Sequence, residues 1–207
     1  MPKRQVGARL IMCGVVLALV TSAVAIIGGT AAISVGGPAY LLLVACVGLL
    51  GVGVALLSAS GPIFGGTLAR RALKTLAFGL VVDSVLLGVS NLPGLEGSNV
   101  MILFIPFFVS WWATIIGAGL TVLALVTAGG RPRKVGALFL LAPVALFAVN
   151  ALVNDLSGSE VARPLAIAFG VVAGGALLLG FVGLAWLGLG SAASAIEVET
   201  GGEGVIG

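Results

Sequence analysis

The stretch LAFGLVVDSVLLG, residues 76–88, places a carboxyl group, Asp83, among leucines, valines and a phenylalanine. Of the seven acidic residues in the chain it is the one set deep in an apolar run; Glu96, Asp155, Glu160 and the tail glutamates sit on polar segments. At a rise of about 1.5 Å per residue, Asp83 falls about 12 Å from either end of an apolar helix over 75–90, near its middle. An aspartate at the centre of a bilayer costs roughly 2.5–3.5 kcal/mol to insert, which the surrounding Leu, Val and Phe offset. Every Lys and Arg lies at the end of an apolar run or between runs. No cation therefore shares its depth, and a carboxyl group so placed is expected to keep its proton unless water reaches it. Its helical face includes Gly79 and Ser90, which marks that face as the inward one. The same counting places Ser110 about 14 Å from the outer end of a following helix, as a hydrogen-bond partner, with Thr114 one turn deeper.

Two roles compete for Asp83, Ser110 and Thr114. An intramembrane acid is by default a functional group, a proton relay or an ion position. The plainer reading is a neutral acid that clips one helix to the next through a hydrogen bond worth roughly 0.6 kcal/mol on average. A lone carboxyl group with no Asn, Gln, Glu or His at its depth is thin equipment for transport, so the clip is favoured. Asn150 and Asn154 read as interfacial.

Other chemistry is poorly supplied. The chain has no histidine, which removes His-ligated haem, copper and zinc and any triad with an imidazole base. General acid–base catalysis usually needs a positioned pair of groups, and no lysine falls within an apolar run to serve as an alternative base. The segment NDLSGSEVAR (154–163) groups Asp155, Glu160 and Arg163 but reads as a solvated turn. An enzyme is not expected, nor a cofactor or a metal. Cys13 and Cys46 both fall in apolar runs at different depths, so they read as small buried packing residues and not as a disulfide.

The elements that must hold these residues are set by composition. Of 207 residues, 60% are hydrophobic and 8% charged, against roughly 45–50% and about 25% in an ordinary soluble domain. A bilayer core asks for about 20 apolar residues per helix, and six windows supply them: 10–27, 39–57, 75–90, 100–126, 136–153 and 164–190. The runs are continuous and lack the alternation of outer-membrane strands. The expected fold is all-α, a polytopic bundle of six transmembrane helices over 1–190, followed by a short acidic, disordered tail at 191–207. The segments GGTAAISVGGP (28–38), NLPGLEGSN (91–99) and AGGRPRK (128–134) supply the breaks. Pro106 and Pro143 are expected to kink spans four and five. Trp111 and Trp112 fall away from an interface, which points to the bundle interior or to a span that starts elsewhere.

Nine of the ten basic residues, Lys3, Arg4, Arg9, Arg70, Arg71, Lys74, Arg131, Arg133 and Lys134, share one side if the N-terminus is inside, leaving Arg163 on the other. Cytoplasmic loops carry that excess, so both termini are expected in the cytoplasm of a cell whose plasma membrane holds the chain. The basic residues abut apolar runs and do not spread over one solvated face, which argues against nucleic acid. The first 25 residues also resemble a signal peptide, although a retained first span explains them as well. KRQVGARL (3–10) and PRKVGALF (132–139), with RRALKTLAF (70–78), suggest three tandem helical hairpins, a pattern that alternating basic loops can also produce. High Ala, Val and Gly content with Arg above Lys suits a prokaryote.

Lipid tails give helices no hydrophobic reason to associate, so small residues carry the packing. Candidate ridges are Ala162, Ala166, Gly170 and Gly174 on span six, Gly51, Ala55 and Ala59 on span two, and Ala113, Gly117 and Thr121 on span four. No GxxxxGK[ST] phosphate loop occurs. The expected partners are the lipid bilayer and other membrane subunits or a second copy, and the expected role is an accessory or structural one. The alternative is a small transporter or channel built on Asp83.

Overall fold

The computed structural model describes residues 3–33, 36–61, 63–64, 66–90, 100–155 and 162–201. Their regular structure is entirely helical: α1 (Lys3–Ile33), α2 (Pro38–Ala59), α3 (Gly66–Val89), α4 (Val100–Thr127), α5 (Gly130–Asp155) and α6 (Ala162–Gly201). Among the described residues five helices are long and apolar enough to cross a membrane, on Lys3–Gly28, Pro38–Ala59, Gly66–Val89, Leu103–Thr127 and Val171–Gly190. The segment α5, expected as a further span, is not one of them; it opens with Arg131, Arg133 and Lys134.

Several boundaries differ from the sequence expectation, each for a local reason. The glycines at 28–29 do not end α1, which runs on to Ile33. A helical glycine costs about 1 kcal/mol against alanine, less than leaving backbone groups unpaired in an apolar medium. The chain turns at Gly36 and Gly37, and Pro38 takes the first position of α2, where its missing N–H is no loss. Basic residues expected in loops are helical: Arg70, Arg71 and Lys74 lie on α3 and Arg131, Arg133 and Lys134 on α5. The α4–α5 turn is made by Gly129 and Gly130 at φ of 72° and 55°, left-handed values that glycine adopts without a Cβ penalty. Both α4 and α5 continue through Pro106 and Pro143. α6 extends to Gly201, so 191–201 is helical where disorder was expected; Ser-Ala-Ala-Ser-Ala propagates a helix already begun at low cost.

Successive helices pack on one another, α1 on α2, α2 on α3 and so on to α5 on α6, and α6 also meets α1; the residues paired across the successive seams run in opposite order, as in an antiparallel succession. α1 passes without interruption through Ala23–Ala25. The core lies toward the end that carries the basic residues, where Ile11, Val54, Leu57, Leu73, Leu76, Leu125 and Leu184 are buried. Phe139 and Phe181 meet edge to face there, 5.2 Å apart, and Phe64 from the α2–α3 connection closes the end. At the same end Arg4 donates to Ser60 Oγ and to the Ser60 carbonyl, both at 3.3 Å, tying α1 to the end of α2. Toward the other end Val20, Ile26 and Ile27 on α1, Leu140, Leu141 and Val144 on α5, and Val171 and Val172 on α6 are all exposed. So are Trp111 and Trp112, which face outward and not into the bundle. This outer surface is too apolar for water, where large exposed patches are rare, and it suits lipid.

Candidate functional site

The α3–α4 seam is built from two glycines and three short polar side chains. A β-carbon at Gly79 would collide with the Thr114 backbone, and one at Gly117 with the backbones of Thr75 and Leu76. Only glycine permits this approach, and the approach is what lets side chains as short as Ser and Thr reach across. Asp83 lies one turn beyond Gly79 on the same face of α3, and it is 8% exposed. Ser110 Oγ lies 2.5 Å from Asp83 Oδ1, and Thr114 Oγ1 donates to Asp83 Oδ2 at 2.8 Å. Both carboxyl oxygens are therefore engaged, each by a different turn of α4. The structure brings Asp83, Ser110 and Thr114 together. Ser90, grouped with them by helical counting, turns instead to α2, where it shares a 3.1 Å hydrogen bond with Tyr40.

Ser110 also sits 3.0 Å from the Phe107 carbonyl. One hydroxyl hydrogen serves one acceptor at a time, so Ser110 and Thr114 bring two hydrogens to three contacts. Further along the α4 stripe Thr121, 1% exposed, donates back to the Gly117 carbonyl at 2.7 Å.

Other seams repeat the arrangement. Ser84, the residue after Asp83, donates to the Val44 carbonyl of α2 at 2.9 Å beside Gly48. Tyr40 donates to the Leu87 carbonyl at 3.3 Å. Cys46 is buried and its thiol lies 3.2 Å from the Gly14 carbonyl of α1, its donor target, whereas Cys13 is exposed on the bundle surface and not buried as expected. Sequence reasoning passed over Ser84, Tyr40 and Cys46 as partners because each bonds to a backbone carbonyl, a group present at every residue. Their visible signal was a polar side chain within a helical turn or so of a glycine.

Of the expected packing residues, Gly51 is buried against Val81 and Leu80 of α3, and Gly117 against Thr75 and Leu76 of the same helix. Ala55 and Ala113 are half-buried and Ala59 is exposed. Gly174 is exposed, and a β-carbon there would meet nothing within 4 Å. The internal α5–α6 contact runs instead through Gly180 against Phe139 and Gly183 against Val135. The surroundings of Ala162, Ala166 and Gly170, and the side chains of Asn150, Asn154, Asp155 and Arg163, lie outside the described residues, as do Glu96 and Glu160 altogether.

Three surface grooves, of about 530, 260 and 320 Å³, have no lining residue in common with Asp83, Ser110 and Thr114. What the site can do is join helices: two hydroxyls and a carboxyl group saturate one another between closely packed backbones. No protein-family model, curated protein or solved structure matches the chain, so the reading of this seam rests on its own geometry.

Proposed function

We propose that this chain is a six-span protein of the plasma membrane, with both termini cytoplasmic, whose work is structural: an accessory subunit of a membrane assembly or a self-associating bundle, with no enzymatic activity. The six-span count is supported by direction. α4 and α5 pack beside the turn that joins them, Gly136 on Leu125 and Val126, and α6 pairs Gly180 with Phe139 and Gly183 with Val135 in the opposite order, so α4 and α6 run the same way, and a chain that crosses twice in one direction must cross back between. The orientation is supported by Arg4, the α2–α3 connection and Arg131 sharing one end, as the excess of positive charge inside requires.

The observation that carries the structural role is that Asp83 is consumed by its seam. Each carboxyl oxygen has a hydroxyl partner on α4, and neighbouring seams are made in the same way without an acid. Association is supported by Gly174 and Gly175, which face outward with open space above them, leaving part of a small-residue ridge outside the internal packing.

The test is Asp83→Asn. An amide of the same shape can still hydrogen-bond to both hydroxyls, so a clip keeps its thermal stability and its oligomeric state in mild detergent. A pH-driven flux in proteoliposomes that the wild type shows and Asp83→Asn lacks identifies a proton-coupled carrier instead, the reading that the half-depth position of Asp83 favours.

A further inference from the structure

A groove of about 530 Å³ opens at the basic end of the bundle, between the start of α5 and the last turns of the apolar part of α6. Ile63, Val135, Gly183 and Leu187 give it an apolar floor, and Arg131 and Trp186 also line it. Among its described lining residues the charge is of one sign, that of Arg131. Arg131, Arg133 and Lys134 are exposed in the opening turns of α5, which hold no acidic residue. The acid among the described side chains, Asp83, is spent in the α3–α4 seam. The start of a helix adds partial positive charge of its own. Trp186 is 75% exposed and lies about 6 Å of helix rise before Gly190, the last residue of the apolar segment, at the level where tryptophan marks the headgroup boundary.

From this we infer that the groove is a binding site for one acidic phospholipid, with its phosphate on Arg131 and the upper part of an acyl chain along Val135, Gly183, Leu187 and the Trp186 ring. The inference rests on the membrane reading above. Charge complementarity selects the occupant: a cationic rim over an apolar floor matches an anionic headgroup above a hydrocarbon chain. A zwitterionic lipid brings an ammonium to the same rim, and a soluble anion leaves the floor uncovered.

The test uses the full chain with Trp111→Phe and Trp112→Phe, so that Trp186 is the remaining tryptophan, in nanodiscs doped with phosphatidylglycerol or phosphatidylcholine brominated in the upper acyl chain. Phosphatidylglycerol is expected to quench Trp186 with about fivefold higher apparent affinity, a preference that high salt weakens and Arg131→Gln removes. Lys74→Gln, a basic residue of the same end outside this groove, leaves the preference in place and shows that overall charge is not the cause. Equal quenching by the two lipids, or a preference that survives Arg131→Gln, overturns the site while leaving the membrane reading intact; no quenching by either overturns both. Loss of the preference in an excess of inorganic phosphate at matched ionic strength assigns the rim to a free anion and overturns the lipid. A preference that emerges only after removal of residues 197–207 shows the groove held by the chain's own acidic end, and overturns it too.

Discussion

The cost of changing Asp83 depends on what replaces it, and the sizes of the competing effects can be compared. Hydrogen bonds between membrane helices average about 0.6 kcal/mol and reach about 1.7. Asp83→Leu removes two, and Ser110 and Thr114 can turn back to carbonyls of their own helix, so the expected loss is about 1 kcal/mol in a denaturation titration in detergent. Asp83→Asn is expected to cost a few tenths at most. Gly117→Val is the harsher change. It drives a branched side chain into the backbones of Thr75 and Leu76, and forcing extra volume into a packed contact costs about 1–3 kcal/mol. If Asp83→Leu proves more damaging than Gly117→Val, the seam is held by its polar triad and not by the close approach of the two backbones. Gly174→Ala, at an outward position with nothing near, should leave the isolated bundle unchanged; an effect confined to oligomer formation would place the association surface on α6.

At the scale of the helices, stability is unevenly spread. The α1–α2, α2–α3 and α3–α4 seams each pair glycine contacts with a side-chain hydrogen bond. α5 meets α4 near the turn that joins them, where Gly136 packs on Leu125 and Val126. Beyond that contact α4 shows Phe104, Phe108 and Trp112 to the surroundings at about one-turn intervals, Phe104 stacked on Phe108 with centroids 6.3 Å apart and Phe108 edge to face with Trp112 at 6.1 Å. Few buried contacts imply a low local opening free energy. Hydrogen exchange in nanodiscs should therefore find the amides at 104–109 on α4 and 140–145 on α5 less protected than those at 76–84 on α3 and 117–125 on α4. Equal protection along α4 would show that the exposed half is covered by a partner in the membrane.

For the molecule as a whole, the alternation of helices places the basic residues at one end and makes a topological prediction. In a Cys13→Ala, Cys46→Ala background, single cysteines at Arg70 and Arg131 should react with a membrane-impermeant maleimide from the same side of inverted vesicles. Labelling from opposite sides would break the antiparallel succession of α3, α4 and α5. The number and rough placement of the apolar runs were legible because hydropathy is local and additive along the chain. The triad was partly legible, since depth along a helix is a matter of counting. Which face of α3 met α4 was not: Ser90 shares a turn pattern with Asp83 yet bonds to Tyr40 of α2, a choice made by how helices rotate against one another.

Composition, 60% hydrophobic with 8% charge, together with apolar runs that do not alternate as barrel strands do, pointed to apolar helices, which satisfy their own backbone groups. Spacing alone put a carboxyl group near the middle of an apolar run. Tertiary structure decided the rest: which glycines lie in seams, with Gly79 and Gly117 inside and Gly174 out, and that Trp111 and Trp112 face outward. It also decided that Arg131 and Trp186, far apart in the sequence, line one groove. The physical reason is that periodicity gives each helix its faces, while only the meeting of two surfaces settles which face is buried and how close the backbones come.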